Sequence, residues 1–278
     1  MMKMTWGLAL SAGSALGMAN AGIIERLEEE GLRPNAIAAS SMGAIIGSLY
    51  ALGLPTSVFR TLAKEINLTN IVRASKRPFL GGLHGGALRQ RLEEHLEPYI
   101  GNATIGDCVI PFYCVAGRVK EPIRWERIIQ EQFGDYVNAC IEPYVFPPET
   151  PLLAAILASS AIPVVFSPVT IGKDSFVDIC NFGAIPVREL REHAHPDIII
   201  ATHTMPAYDK LKRISPRFLR DWLDFNARML QEGAEGADLI ITPKPAAPSF
   251  RFDKFAAFMQ AGRKAADEAM PKIRQLLK

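Results

Sequence analysis

Cysteine is scarce in this sequence, and the spacing of the few that occur excludes two classes of protein. The chain has four, at Cys108, Cys114, Cys140 and Cys180, and none of them forms a CxxC pair. A disulfide-rich secreted scaffold needs a higher cysteine density, and a zinc site needs cysteine or histidine at short, regular spacing. The sequence therefore predicts no metal site. Free thiols favour a reducing compartment, and the expected location is the cytoplasm.

An excess of charge of one sign is also missing. The 31 lysines and arginines nearly balance the 29 aspartates and glutamates, and no basic run is interleaved with aromatic residues. Nucleic-acid-binding proteins usually carry a basic patch that neutralises phosphates, so no nucleic acid partner is predicted. Contact with a membrane would then be local and peripheral. A content of 49% hydrophobic and 22% charged residues is typical of a globular protein.

Nucleotide-binding motifs are absent as well. A loop of small residues, Ser11 to Gly17, follows the first apolar run. It has neither the GxGxxG pattern nor the lysine of a phosphate-binding loop, and no acidic residue ends the second predicted strand. The sequence therefore predicts no nucleotide cofactor, and no other cofactor motif is found.

Long hydrophobic runs are present, and each allows two interpretations. Residues Met4 to Ile24, Pro34 to Phe59 and Pro151 to Gly172 carry no charge and are long enough to cross a membrane. Glycine, proline and serine interrupt each run where a strand, turn and helix would need them, so buried α/β elements are favoured. The first run also has features of a secretory signal, but its removal would delete a strand and a loop that the remaining pattern needs.

Strands and helices alternate along the chain. Strands are predicted at TWGLAL, NAIAAS, PFYCVAGRV, DSFVDI, PDIIIATHT and ADLIITP, and helices at ANAGIIERLEEEG, MGAIIGSLYALG, RQRLEEHLEPYI, PLLAAILASS, PVRELREHA and FAAFMQAGRKAADEAMPKIRQLL. The first strand, loop, helix and second strand form a βαβ unit with a right-handed crossover. The alternation predicts one doubly wound α/β domain over residues 1–278.

Two segments remain open to more than one interpretation. Arg118 to Pro151 is irregular and rich in aromatic residues, which suits a surface loop or a lid. Leu211 to Glu232 combines arginines and lysines with an apolar stripe. Such a helix packs against a sheet in most proteins, and in others it lies in a membrane interface.

The stretch IAASSMGAI places a serine in a predicted strand-to-helix turn. A nucleophile in such an elbow needs small residues two positions before and after it, and Ala39 and Gly43 flank Ser41 in this way. The turn would expose the serine at the carboxyl edge of the sheet, beside a helix N-terminus. Ser40 is a competing candidate, but Met42 would crowd its turn. The pattern by itself fits either a nucleophile or a small residue in a tight turn.

Several blocks of the sequence resemble the bacterial type of the patatin-like phospholipase family. LALSAGSALGMANAGII is similar to the opening glycine-rich block of that family, and IAASSMGAIIGSLYA is similar to its nucleophile elbow. ASSAIPVVFSPVTIGKDSFVDICNFGAIPV is similar to the block that carries its aspartate, with weaker matches in GGLHGGALRQRLEEHL and ADLIITP. The resemblance implies a single three-layer domain with a mostly parallel central sheet covered by helices on both faces.

The resemblance also implies a serine acyl hydrolase that acts on lipid or other acyl esters without a cofactor. Carried over position by position, it makes Ser41 the nucleophile and Asp178 its direct partner, with no intervening histidine. A buried carboxylate can accept the serine proton and return it to the leaving alcohol. The oxyanion hole of the family falls on the backbone N–H groups of Ala12, Gly13 and Ser14.

The chain departs from the family pattern around these residues. Ala12, Ser14, Ala39, Ile179 and Cys180 replace glycines, and Leu16 replaces a basic residue. Glycine serves where φ is positive or where backbones approach closely, and a β-branched residue such as Ile179 adopts positive φ poorly. Two outcomes are therefore weighed. The retained hydroxyl, carboxylate and backbone donors favour a working hydrolase, and the lost glycines suit a degenerate relative that binds lipid or protein.

A second enzymatic alternative adds a histidine. Ser41 and Asp178 are followed by His193, His195 and His203, which is the chain order of an α/β-hydrolase triad. The first two lie near the predicted end of a helix, where a cation has a structural role. Chain order cannot choose between a triad and a dyad.

Overall fold

An eight-stranded mixed sheet forms the centre of the described structure. The computed structural model describes residues 4–65, 85–121, 136, 139–162, 167–179, 184–205, 217–249 and 251–278. The strands are β1 (Trp6–Leu10), β2 (Ala36–Ser40), β3 (Phe112–Val119), β4 (Ile141–Val145), β5 (Val169–Ile171), β6 (Asp174–Val177), β7 (Ile198–Thr202) and β8 (Leu239–Ile241). The α-helices are α1 (Ala19–Glu29), α2 (Met42–Ala51), α3 (Ser57–Glu65), α4 (Gly85–Ile100), α5 (Leu152–Ser159), α6 (Val187–Ala194), α7 (Arg217–Gly233) and α8 (Phe255–Leu276).

The sheet is parallel at its centre and antiparallel at one side. Hydrogen-bonded pairing connects the strands as β5-β6-β3-β2-β1-β7-β8, and β4 also pairs with β3; β2 and β6 pair with different residues of β3. Strands β3, β2, β1, β7 and β8 are parallel, whereas β4 and β6 run antiparallel to β3, and β5 runs antiparallel to β6. The βαβ unit formed by β1, α1 and β2 is present as predicted. The prediction of an α/β fold with a mostly parallel sheet is confirmed.

Helices cover both faces of this sheet. Leu8 and Ile37 belong to one apolar cluster with residues of α1, α2, α5 and α8. Ala9 and Ala38, which alternate with them along β1 and β2, belong to a second cluster with residues of α6 and α7. The first two apolar runs therefore each contain a strand buried on both faces and residues of a buried helix, and the described part of the third contains helix α5. Among the described residues, no helix is long and apolar enough to cross a membrane.

Part of the irregular segment belongs to the sheet. Residues 141–145 form β4, and the rings of Tyr144 and Phe146 pack on Phe176 of β6 with centroid distances of 5.2 and 4.8 Å. The surface-loop interpretation is therefore wrong for this part, because residues 141–145 pair with β3 and the rings of Tyr144 and Phe146 pack on Phe176. Residues 122–135 lie outside the described residues.

The helix proposed for either a membrane interface or the core is partly buried and reaches the core beside the sheet at Leu230. Leu223, Phe225 and Leu230 of α7 are buried, and Leu230 contacts the apolar cluster beside β1 and β7. This packing favours the interpretation as a core-facing helix. Residues 211–216 of the same segment lie outside the described residues.

Candidate active site

Ser41 occupies a strained turn between β2 and α2. Its φ and ψ are 52° and −127°, a conformation that L-residues rarely adopt and that costs about 1–3 kcal/mol. The Ser41 carbonyl accepts hydrogen bonds from the N–H groups of Ala44 and Ile45 at 2.9 and 3.1 Å, so the turn leads directly into α2. Strain of this kind is characteristic of a nucleophile elbow and is not needed for an ordinary turn.

The small residues around the elbow have different reasons for being small. At position 43, a Cβ atom would lie 2.6 Å from the carbonyl oxygens of Leu10 and Ser11, so only glycine fits where α2 begins. Ala39 is fully buried in β2, and its φ is not positive. The backbone conformation at position 39 therefore does not require glycine, and alanine is accommodated there.

The pairing of β3 explains why two distant residues meet at this turn. Strand β4 pairs with β3 along residues 115–119, β2 pairs along 112–115, and β6 pairs along 117–119. Since β4 occupies one edge and overlaps both of the others, β2 and β6 must share the opposite edge. Strands β2 and β6 run toward each other along this edge, and one residue of β3, Ala116, separates the stretches with which they pair. Ser41 and Asp178 are the residues that follow their ends.

Ser41 and Asp178 form a direct hydrogen bond. The serine Oγ donates to the aspartate Oδ2 at 2.5 Å, across a sequence separation of 137 residues. Asp178 is fully buried and Ser41 is 4% exposed. A hydroxyl proton directed at a buried carboxylate is the geometry that general-base activation of a serine requires.

The competing serine is held by a hydrogen bond, and two cysteine thiols of the described chain are protonated. Ser40 is fully buried and its Oγ donates to the carbonyl of Ala184 at 2.9 Å, so the competing serine does not face the site. Burial raises the pKa of the Cys108 and Cys114 thiols to about 12, which keeps both protonated at neutral pH. Cys180 lies outside the described residues.

The loop expected to form the oxyanion hole lies at the same edge of the sheet. Residues Ser14–Met18 form a 3₁₀ helix that begins after the three residues following β1. The Ala12 N–H donates to the carbonyl of Ala184 at 2.9 Å and is therefore occupied. Within the described part of the chain, the N–H groups of Gly13 and Ser14 have no acceptor. The expected set of three donors is thus reduced to these two, because the Ala12 donor is used to fix the loop.

Thr204 fixes this loop from the neighbouring strand end. Its Oγ1 donates to the carbonyl of Ala12 at 2.8 Å, and its N–H donates to Ser11 Oγ at 2.9 Å. Ser11 Oγ lies 2.9 Å from Thr204 Oγ1, which closes a buried polar network. A Cβ at position 13 would lie 2.5 Å from the Thr204 carbonyl oxygen, so Gly13 is required by close approach. Thr204 was not singled out in the sequence, because its position depends on β7 lying beside β1.

The lost glycines prove to be less costly than expected. Of the substituted positions that the structure describes, only Ser14 has a positive φ, at 49°. Ala12, Leu16, Ala39 and Ile179 do not. The expectation that Ile179 occupies a position suited only to glycine is therefore wrong, since the chain passes it in a conformation open to any residue.

Replacing Ser14 by glycine is expected to stabilise the protein by about 1 kcal/mol. Ser14 carries a left-handed backbone, and its buried Oγ has no hydrogen-bond partner among the described residues. Glycine would remove both costs. Its greater conformational freedom in the unfolded chain would offset part of the resulting gain in stability. Urea unfolding measures the change. Ser14→Ala is the matched control and should gain less, because it keeps a Cβ at positive φ; a Ser14→Gly protein less stable than the parent would contradict this account.

Two of the candidate histidines lie away from Ser41. His193 and His195 are at the end of α6, just before β7, and so at the amino edge of the parallel strands. The His193 ring stacks on Tyr113 with centroids 5.5 Å apart, and His195 ends the helix in a left-handed conformation. Ser41 is at the opposite, carboxyl edge. Neither histidine is therefore placed to act as its base.

His203 follows β7 at the same edge as Ser41 but takes no part in the hydrogen bond described above. Burial lowers its pKa, so the ring is neutral at pH 7. A serine hydroxyl has one proton, and that of Ser41 is directed at Asp178. The geometry thus favours a dyad over a triad. Across the described residues, no group of three or more histidine, cysteine, aspartate or glutamate side chains is arranged to hold a metal ion.

The fold and the site together define an α/β protein in which a serine in a strained strand-to-helix turn faces a buried aspartate. The sequence profile of patatin-like phospholipases matches residues 8–178, which is more than half of the chain. The chain belongs to this family, and the resemblance seen in its motifs is confirmed.

Curated relatives match the chain over part of their own length. An uncharacterized NTE family protein of Mycobacterium tuberculosis is 31% identical over 162 residues, which are 58% of this chain and 38% of the relative. A putative patatin-like phospholipase domain-containing protein of Caenorhabditis elegans is 28% identical over 116 residues, which are 39% of this chain and 10% of the relative. The matches thus span well under half of these relatives.

A solved structure supports the fold. VipD from Legionella pneumophila superimposes with a TM-score of 0.53 at 12% sequence identity, covering 98% of this chain and 67% of VipD. At this identity the similarity concerns the fold alone.

Proposed function

We propose that the protein is a serine acyl hydrolase that cleaves carboxylic esters of lipids, with residues 1–278 acting as one catalytic domain. The observation that carries the proposal is the 2.5 Å hydrogen bond from Ser41 Oγ to Asp178 Oδ2 at a strained elbow. Membership of the patatin-like phospholipase family supports lipid esters as the substrate class. Peripheral contact with a lipid surface is part of the same proposal, since such substrates lie in membranes.

In the acylation step, Asp178 accepts the hydroxyl proton while Ser41 Oγ attacks the ester carbonyl carbon. The carbonyl oxygen becomes an oxyanion, which the N–H groups of Gly13 and Ser14 stabilise. Collapse of the tetrahedral intermediate breaks the bond to the alcohol, and the alcohol leaves with the proton held by Asp178. The acyl group remains on Ser41 as an ester.

Deacylation repeats these steps with water. Asp178 accepts a proton from a water molecule, the resulting hydroxide attacks the acyl carbon, and the same two N–H groups stabilise the second oxyanion. Ser41 leaves as the alkoxide and recovers the proton from Asp178, and the carboxylic acid is released. The N-terminus of α2, at which Ser41 lies, adds a partial positive charge that favours both anionic intermediates.

A lipid- or protein-binding module without turnover is the second candidate. Ser41 is only 4% exposed, and Ser14 occupies a left-handed position where the family motif has glycine. Both features favour a site that keeps the architecture without processing an ester. The two candidates differ in whether Ser41 reacts.

The distinguishing experiment is covalent labelling with a fluorophosphonate probe. A working site is expected to form one adduct per chain, on the peptide that contains Ser41, and to hydrolyse a short-chain p-nitrophenyl ester. Intact-mass measurement gives the stoichiometry, and peptide mapping gives the position. A folded protein that neither labels nor turns over ester would favour the binding module. An adduct on another serine would overturn the assignment of the nucleophile.

A further inference from the structure

One short segment holds the backbones of both members of the dyad. The Ser41 N–H donates to Ser159 Oγ at 2.8 Å, and the Asp178 N–H donates to the carbonyl of Ala161 at 2.9 Å. Ser159 is the last residue of α5, and Ala161 follows two residues later. Together with the bond between the two catalytic side chains, these contacts close a ring. Segment 159–161 therefore fixes the distance between the nucleophile and its base.

The Ser159 hydroxyl makes its contacts at the centre of this ring. It accepts from Ser41 and donates its own proton to the carbonyl of Val115 at 2.6 Å. Val115 is the β3 residue that pairs with Ser40, directly before the elbow. The side chain is fully buried, so water does not compete for either bond. One hydroxyl thus joins the elbow, the end of α5 and the central sheet.

The elbow needs an external acceptor of this kind. The positive φ of Ser41 rotates its N–H away from the strand ladder, and the N–H precedes the first turn of α2. A buried N–H without an acceptor would favour a flip of the peptide between residues 40 and 41, which would relieve the strain. Because Ser41 Oγ extends from the same Cα, such a flip would move it away from Asp178.

We infer that Ser159 is a positioning residue for the nucleophile: its hydroxyl keeps the Ser41 peptide in the strained orientation that directs Oγ at Asp178. The expected effect of Ser159 on the reaction rate rests on the proposed hydrolase function, whereas its expected effect on the orientation of the Ser41 peptide does not. Ser159 touches neither substrate nor the reacting atoms. It acts through the backbone of Ser41.

The test compares Ser159→Ala with Ser48→Ala. Both serines are fully buried and end or lie within a helix, but Ser48 donates only to Ile45 O in its own helix, at 3.0 Å. Ser159→Ala is expected to lower kcat for a p-nitrophenyl ester and the rate of fluorophosphonate labelling by about 10- to 100-fold, with KM changed less than about twofold. Ser48→Ala should change none of these. Equal rates in the parent and Ser159→Ala would overturn the inference.

A second measurement does not depend on activity. In protein labelled with ¹⁵N-serine, the Ser41 amide is assigned by its absence in Ser41→Ala, and its hydrogen exchange is followed. Exchange is expected to be slow in the parent and in Ser48→Ala, and at least about tenfold faster in Ser159→Ala. An inactive parent would overturn the proposed function while this measurement still decides the role of Ser159. A Ser41 amide that exchanges equally in all three proteins would overturn that role.

Ser159→Cys covers the case in which the alanine variant does not fold. Cysteine is nearly isosteric with serine, and its sulfur is a weak acceptor. The same two readouts are expected to change in the same direction by a smaller factor. Full kcat together with an unchanged Ser41 amide in this variant would contradict the positioning role.

Discussion

Ser41→Ala is expected to abolish ester hydrolysis and fluorophosphonate labelling, with kcat falling by at least about 10⁴-fold. The change removes the hydroxyl that donates to the buried carboxylate of Asp178. It leaves the elbow backbone, the oxyanion loop and the sheet intact, so Tm should stay within a few degrees of the parent. Initial rates with a p-nitrophenyl ester and intact-mass labelling check both expectations. Ser48→Ala is the matched control and should keep full activity.

Replacing Asp178, the hydrogen-bond partner of Ser41, is also expected to lower the rate of ester hydrolysis. Asp178→Asn keeps the shape of the side chain but removes its ability to take a proton, and kcat should fall by roughly 10³- to 10⁴-fold. Since the two residues act as a unit, the double variant should be no slower than Ser41→Ala. Activity that survives Asp178→Asn but is lost in His203→Ala would make His203, and not Asp178, the base that activates Ser41.

Local patterns were sufficient to predict the six strands and six helices named from the sequence and the strand-to-helix turn at Ser41, but not α3, β4 or β5. The apolar run before Ser41, the small residues at positions 39 and 43, and the apolar run after it all lie within one short stretch, so their meaning does not depend on the rest of the fold. The alternation of strands and helices is local in the same sense. Each of these predictions is borne out by the element boundaries.

The contacts that complete the site depend on register between distant segments. Asp178 meets Ser41 because β2 and β6 share one edge of β3, and Thr204 contacts Ser11 and Ala12 because β7 pairs with β1. Ser159 reaches the elbow from the end of a helix that packs on β3. Composition and periodicity carry no information on such pairings. Asp178 was found in the sequence only through the family motif.

The fate of the family glycines follows from two separate requirements. Gly13 and Gly43 are retained. At each position a Cβ atom would lie 2.5–2.6 Å from a backbone carbonyl oxygen, which is too close for two non-bonded atoms. Positions 12 and 39 accommodate the side chain of alanine because φ is not positive at either position. Close approach therefore preserves glycine in this site more strictly than backbone conformation does. Ser14 is the exception that bears a conformational cost.

The crossing of α1 and α8 is a second place where close approach requires glycine. A Cβ at Gly22 would overlap the carbonyl oxygen of Met259, and a Cβ at Gly262 would overlap the carbonyl oxygen of Ala19. In both cases the obstacle is backbone, which cannot rotate away. Arg263 also joins the two helices through ion pairs with Glu25 and Glu29. The close approach of the helix backbones at the crossing depends on the two glycines.

Gly22→Ala and Gly262→Ala are each expected to destabilise the protein by about 1–3 kcal/mol, despite the higher helix propensity of alanine. Each methyl group forces the helices apart and opens the apolar cluster between them and the sheet. Because both changes act on one crossing, the double variant should lose less than the sum of the two. Urea unfolding measures all three, with Lys264→Ala on the exposed face of α8 as the control, expected within about 0.5 kcal/mol of the parent. Fully additive losses, or single variants as stable as the parent, would show that the helices are not held at this separation by the glycine pair.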